Sequence, residues 1–203
     1  MAEGGAMNYY NKCLQENTLY GIEAFLLKQN QLEYISVDKK NKLSQNIDIT
    51  LDRDSNIIGE ELTFCISNNG AYRDHLEIIF LLELSQSVNS ETSFVSPIHS
   101  IIWHQFDDLL SLQCGWATKG TVTLELVPLD YLLVHGLERI LQNKHMYFPL
   151  SNQKSCSIVR FSMQLGEFEE AKGSIGCLTG HDRDELLNFH YAIKNTLAFP
   201  LQK

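Results

Sequence analysis

The sequence predicts an α+β domain, an antiparallel sheet with helices packed against it, on three observations. Apolar and polar residues alternate in short runs, most clearly at Val159, Phe161, Met163 and Leu165 interleaved with Arg160, Ser162 and Gln164, the period of a strand with one buried face. Longer stretches space apolar residues three or four apart, the period of an amphipathic helix. The order of these patterns, strands, helix, strand, helix, hairpin and a last helix, suits antiparallel pairing with helices laid on the sheet.

Taken in order, residues 8–16 read as a short polar helix. The apolar runs at 20–27 and 32–37 flank the polar Lys28-Gln29-Asn30-Gln31 as two arms of a hairpin. A lysine-bearing loop over 38–46 leads to Ile47, Ile49 and Leu51, which alternate with Asp48, Thr50 and Asp52. Leu62, Phe64 and Ile66 repeat that pattern before the turn signal Ser67-Asn68-Asn69-Gly70. The run 76–84, LEIIFLLEL, satisfies both a period of two and a helical face, and a buried strand is the favoured reading. After a polar loop over 87–96, Ser96-Pro97 supplies an N-cap with proline in the first helical position. Ile98, Ile101, Ile102, Phe106, Leu109 and Leu110 would form the buried face of that helix, which Gly115 ends. Val122, Leu124 and Leu126 mark a strand closed by Pro128, and a helix with Leu129, Leu132, Leu133, Leu137, Ile140 and Leu141 on one face follows. The strand at 159–165 then connects through a loop over 166–173 to a returning strand at 174–178.

The segment 181–203 reads as a capped amphipathic helix. Asp182 followed three residues later by Glu185 is a capping-box pattern, with a side-chain oxygen for the exposed amides of the first turn. Behind it Leu186, Phe189, Ile193, Leu197 and Leu201 share one helical face. That face needs a partner: the domain's own core, a second copy of the chain, or a following domain. The expected organisation is a tag or disordered start over 1–7, a single α+β domain over 8–180, and the terminal helix over 181–203.

At 203 residues and 44% hydrophobic, the chain can bury a full-sized core without metals or disulfides. Its formal charge of -9, with no concentrated basic run, opposes direct binding to nucleic acid. The five cysteines form no C-x-x-C pair and read as small buried hydrophobes in a reducing compartment. No secretory leader and no apolar run of spanning length is evident, so a cytoplasmic location without membrane insertion is expected.

No sequence pattern names a reaction. His99 and His104 are five apart and fall on different sides of a helix, and neither H-x-x-x-H nor HExxH occurs, so no metal site is expected. No serine sits in a G-x-S-x-G turn, and no phosphate-cradling glycine motif is present. The pairs Asp107-Asp108, Glu60-Glu61 and Glu169-Glu170 are sequence neighbours whose side chains diverge, which suits a solvated surface better than acid–base work. Trp103, Trp116, Tyr131 and His135 are the candidate ligand-binding residues, because aromatics beside polar groups line small-molecule pockets. No cofactor is expected.

The stretches Gly173-Ser174-Ile175-Gly176-Cys177-Leu178, Asp184-Glu185-Leu186 and Leu197-Ala198-Phe199-Pro200-Leu201 together resemble a junction found in bacterial signalling proteins. There a GAF-like sensory domain passes into a linker helix upstream of a diguanylate cyclase (GGDEF) domain. The resemblance covers about thirty C-terminal residues. It implies a GAF/PAS-like sensor architecture, cyclic di-GMP signalling, and a homodimer coupled through Leu186, Phe189, Ile193 and Leu197. No GGDEF-type sequence is present in this chain. The function expected is a non-enzymatic, cytoplasmic regulatory domain that binds a small molecule or protein signal and passes it through its terminal helix to an effector. The alternative is an acidic adaptor or chaperone-type interaction module, which should display an open hydrophobic surface instead.

Overall fold

Strands make up most of the described residues, and the expected α+β, GAF/PAS-like layout gives way to two antiparallel sheets. The computed structural model describes residues 20–36, 41–42, 47–55, 59–84, 91–142 and 148–198; the helix expected at 8–16 and the start at 1–7 lie outside them. The strands are β1 (Tyr20–Lys28), β2 (Gln31–Ile35), β3 (Asn41–Lys42), β4 (Ile47–Ser55), β5 (Gly59–Asn68), β6 (Asp74–Leu84) and β7 (Thr92–Ser96). They continue with β8 (Ile101–Phe106), β9 (Leu109–Ala117), β10 (Thr121–Pro128), β11 (Leu150–Ser151), β12 (Ser155–Leu165) and β13 (Glu170–Gly180). Helices α1 (Leu129–His135) and α2 (Leu137–Gln142) follow β10, and α3 (Arg183–Ala198) follows β13. One sheet has five strands in the order β10-β12-β6-β1-β2, and the other has eight in the order β11-β7-β8-β9-β13-β5-β4-β3.

The two sheets pack face to face. Ile22, Ala24 and Leu26 of β1, Ile78, Phe80 and Leu82 of β6, and Val159, Phe161 and Met163 of β12 point inward from the first sheet. They meet Ile47 and Ile49 of β4, Leu62, Phe64 and Ile66 of β5, and Ile175 and Cys177 of β13 in a single apolar cluster. Phe64, Phe80 and Phe161 form its aromatic centre, with Phe64 and Phe161 edge to face at 4.8 Å.

Helices cover the outer faces. Ile140 and Leu141 of α2, with Tyr131 and Leu132 of α1, seal Phe25, Ile79, Leu81 and Ile158 of the five-stranded sheet. Helix α3 lies on the eight-stranded sheet, over Ile101, Trp103, Leu112, Cys114 and Leu178. No helix of the described residues is long and apolar enough to cross a membrane.

The main local correction concerns residues 97–114. No helix forms there: residues 97–100 make a tight turn and β8 and β9 follow. Strand β8 is covered on both sides, with Ile101 and Trp103 beneath α3 and Ile102, His104 and Phe106 buried as well. A strand without a polar face loses its period of two in sequence, and its apolar residues then fall at helical spacings. The run 76–84 lies in β6, and its residues 76–82 are buried on both faces, which removes a clear period of two from its sequence in the same way. The helix predicted after Pro128 forms but breaks at Gly136, whose φ of 79° and ψ of 141° only glycine adopts readily. The loop predicted at 166–173 is shorter, because β13 already begins at Glu170.

Candidate functional site

Helix α3 begins as the capping pattern predicts. The Asp182 carboxylate accepts from the backbone N–H of Asp184 at 2.8 Å and of Glu185 at 3.0 Å. This fixes the first turn so that Leu186 is buried and Phe189 and Ile193 pack on the same cluster. The stripe predicted to couple two copies is thus engaged by the chain's own sheet at these three positions. The side chain of Leu197, and Leu201 altogether, lie outside the described residues.

Two of the four predicted ligand-binding residues belong to this seam. Trp103 of β8 is buried with the Arg183 guanidinium 5.6 Å from its ring centroid. Trp116 of β9 stacks on His190 of α3 with centroids 5.6 Å apart and planes inclined by 26°. Trp116 also lies close to Gly176 of β13, where an added Cβ would stand 3.0 Å from the indole Cη2. His99, in the turn before β8, contacts Tyr191 Oη through Nδ1 at 2.5 Å and ties the turn to the helix.

This seam carries buried polar atoms without a protein partner. They are Nε1 of Trp103, Nε1 of Trp116, Oγ of Ser174, which pairs with Trp116 across the β13–β9 ladder, and both ring nitrogens of His190. Among the described residues only Gln113 Oε1 and Arg160 Nη2 share that condition. Burial pushes the His190 imidazole down to about 4, the Lys194 and His99 charges push the same way, and the His99 backbone opposes them. The sequence reading did not single out His190. Its signal was its place four residues after Leu186 and three before Ile193, on the buried stripe.

Tyr131 and His135 lie elsewhere. Their rings meet at a tilt in α1 with centroids 4.0 Å apart, and Tyr131 packs with the helices covering the five-stranded sheet. The four predicted binding residues therefore divide between opposite outer faces and do not form one pocket.

A second polar constellation joins the two sheets, and no sequence motif announced it. Glu91 Oε1 accepts from Ser93 Oγ at 2.6 Å and Ser155 Oγ at 2.7 Å, and lies 2.8 Å from His104 Nδ1. His104 Nε2 is 2.8 Å from Ser157 Oγ. A carboxylate, an imidazole and a hydroxyl in that order are the parts of a nucleophile-activating relay. Here, however, Ser157 is 0% and His104 2% exposed, so no substrate reaches the hydroxyl. The arrangement instead bridges β8 and β12, one strand from each sheet. No group of three or more His, Cys, Asp or Glu able to hold a metal occurs among the described residues.

No protein-family model matches the chain, and no curated protein matches it. Among solved structures it is similar to a protein described as a kojibiose phosphorylase from the human microbiome, with a TM-score of 0.45 and 10% identity over 88% of this chain and 25% of that one. A bacterial glucoamylase complexed with acarbose gives 0.48 and 11% over 85% of this chain and 28% of its own. The family GH92 inverting mannosidase from Bacteroides thetaiotaomicron gives 0.40 and 8% over 86% and 23%. The chain thus spans about a quarter of the length of these proteins. The two-sheet architecture overturns the resemblance to a GAF domain upstream of a cyclase.

Proposed function

We propose that the chain is a regulatory domain that receives a small-molecule or protein signal and reports it through the docking of its terminal helix. The observation that carries this reading is the seam beneath α3, where an apolar stripe coincides with four residues bearing buried polar atoms that lack a protein partner. Each such group costs about 1–3 kcal/mol relative to its hydrated state. The docked helix is therefore held by apolar burial against a polar penalty. A balance of that kind lets a modest signal shift the helix between docked and undocked states. The undocked helix would offer Leu186, Phe189 and Ile193 to an effector or a second copy.

Two buried cysteines supply the test. Cys114 lies under α3, whereas Cys177 lies between the sheets. Pulse alkylation under native conditions, read by peptide mass spectrometry, should modify Cys114 at least tenfold faster than Cys177, a factor equivalent to about 1.4 kcal/mol. Equal rates would mean that helix and sandwich open together, and the reading would fail.

One observation favours the interaction-module alternative. Tyr72 and Phe168 are 84% and 74% exposed, and buried Asn68 ties their loops together by donating to Tyr72 O at 2.8 Å and Gly166 O at 2.9 Å. Two fixed, solvent-facing aromatics suit a partner surface. A Tyr72→Ser, Phe168→Ser double variant that loses a partner while keeping its helix dynamics would select that reading.

A further inference from the structure

We propose that protonation of His190 releases α3, so that the signal this domain receives includes acidification of its surroundings. The inference rests on the helix-docking reading above and names a regulator for it.

His190 is 1% exposed and sits in the middle of the helix face that meets the sheet. Its ring stacks on Trp116, whose edge lies close against Gly176. Neither nitrogen has a partner at ordinary hydrogen-bond geometry, and the His99 backbone gives the ring only weaker polar support. A neutral imidazole tolerates this site because its faces are apolar and it carries no net charge. An imidazolium has two N–H donors and a full charge, and a buried charge is tolerated only when it is paired and hydrogen-bonded.

The surrounding groups do not supply that compensation. On its own helix His190 faces the Lys194 ammonium, and from the turn before β8 the His99 ring, both of which disfavour a further positive charge; the His99 backbone favours it but is outweighed by them together with burial. From β9 it meets Trp116, with the Cys114 thiol on the same sheet face, and from β13 the Ser174 hydroxyl lies beside Trp116. Glu61 of β5 acts on Cys114 together with Lys194, so one carboxylate field reaches the seam and a cation already meets it. At the start of the helix, Arg183 adds a second fixed cation over Trp103.

The direction follows from the two states. Docked, His190 titrates at about 4; undocked and hydrated, it returns to the ordinary 6.5. Between those values the undocked state binds a proton that the docked state refuses. Docking is therefore hardly affected well above pH 6.5, weakens progressively as pH falls through that value, and has lost a factor of about 160 at pH 4, on the way to a limit of roughly 300 at still lower pH.

The chain's two tryptophans, Trp103 and Trp116, both lie beneath α3 and report its docking without a label. Acrylamide quenching of the full chain, measured from pH 7.5 to pH 4 with far-UV circular dichroism, should rise reversibly below pH 6.5 while the strand signal persists. His190→Phe should abolish the rise, and His190→Gln should weaken docking equally at every pH. A flat quenching profile in the parent, or an unchanged transition in both variants, would overturn the proposal. If both variants fail to fold, the imidazole resonances of the parent decide. A His190 midpoint below the ordinary histidine value, with quenching rising over the same pH range, supports the proposal; an ordinary midpoint sinks it. Selective labelling of Cys114 at pH 7.5 combined with flat quenching would leave the docking reading standing and remove only the proton. Equal labelling of Cys114 and Cys177 would remove both.

Discussion

The indole of Trp116 stacks on the imidazole of His190, with ring centroids 5.6 Å apart, and its edge lies close against Gly176. Helix α3 is thus keyed to the eight-stranded sheet at a point where one residue must be glycine-sized, one aromatic and one uncharged. Changes at any of the three should be felt in helix docking before they are felt in the sandwich.

Gly176→Ala tests this contact from the sheet. The new methyl would meet Trp116 Cη2 at 3.0 Å, Trp116 Cζ3 at 3.1 Å and Cys114 Sγ at 3.3 Å, so the indole must lift by a few tenths of an ångström. Overpacking of this kind costs about 1–3 kcal/mol. We expect faster alkylation of Cys114 with little change at Cys177, whereas a matching acceleration at both cysteines would place the cost in the sandwich.

Leu186→Ala and Asp182→Ala weaken the same helix from different ends. Leu186 is 2% exposed, and truncating a buried leucine ordinarily costs about 2–5 kcal/mol. If α3 undocks separately from the sheets, the loss in global stability stops growing once the helix is released. The leucine variant should therefore fall at or below the low end of that range. Removing the Asp182 cap should cost about 1 kcal/mol. Urea unfolding of both singles and the double variant checks this: a double-variant loss smaller than the sum indicates a helix already released.

Glu91 sets a second, more acidic boundary. Burial alone would raise its carboxyl, but hydrogen bonds from His104, Ser93 and Ser155 and the charge of His104 outweigh burial and lower it. A carboxyl lowered by folding stabilises the native state above its ordinary value of 4.5, and that contribution is lost as pH falls through the folded value. Glu91→Gln should lose about 1–3 kcal/mol at pH 7 and show a flatter stability curve below pH 4.5 than the parent. Urea midpoints across pH 3 to 7 read both effects. The His190 transition starts two units higher and leaves the strand signal intact, so the two can be separated.

The residues show why the sandwich was only half legible. Strands whose second face carries polar side chains, such as β4, β5, β10 and the 159–165 part of β12, keep their alternation and are legible as strands. Strand β8 sits between α3 and the inter-sheet core, and its sequence IIWHQF carries no polar face to betray a period of two. Once that segment is read as a helix, the eight-stranded sheet loses its centre and a second sheet is not inferred. The cap at Asp182 and the stripe from Leu186 to Ile193 were legible because both are local. What that stripe packs against depends on Trp103, Trp116 and Leu178, which β-pairing brings together from three strands. The Glu91, His104 and Ser157 bridge escaped for the same reason, since its members come from segments joined only by tertiary structure.

The charge cluster beneath α2 offers a last prediction. Arg160 Nη1 donates to Glu77 Oε2 at 2.9 Å and to Leu141 O at 3.0 Å, and its Nε donates to Glu125 Oε1 at 3.3 Å. Arg160 and Glu77 are only 5% and 4% exposed at the side chain. Arg160→Met removes the cation facing two carboxylates, and breaking a buried pair from one side typically costs about 3–5 kcal/mol. The Glu125 carboxyl is already raised by burial, with Arg160 pulling it down. Without the arginine it should take up a proton more readily, so the defect should be smaller at pH 5 than at pH 7. Replacing Arg160, Glu77 and Glu125 together by methionine removes the charges and keeps the volume, and should recover more than half of the loss measured by urea unfolding at pH 7. If the triple variant is no more stable than Arg160→Met alone, the arginine acts chiefly through Leu141, as the anchor that holds α2 on the sheet.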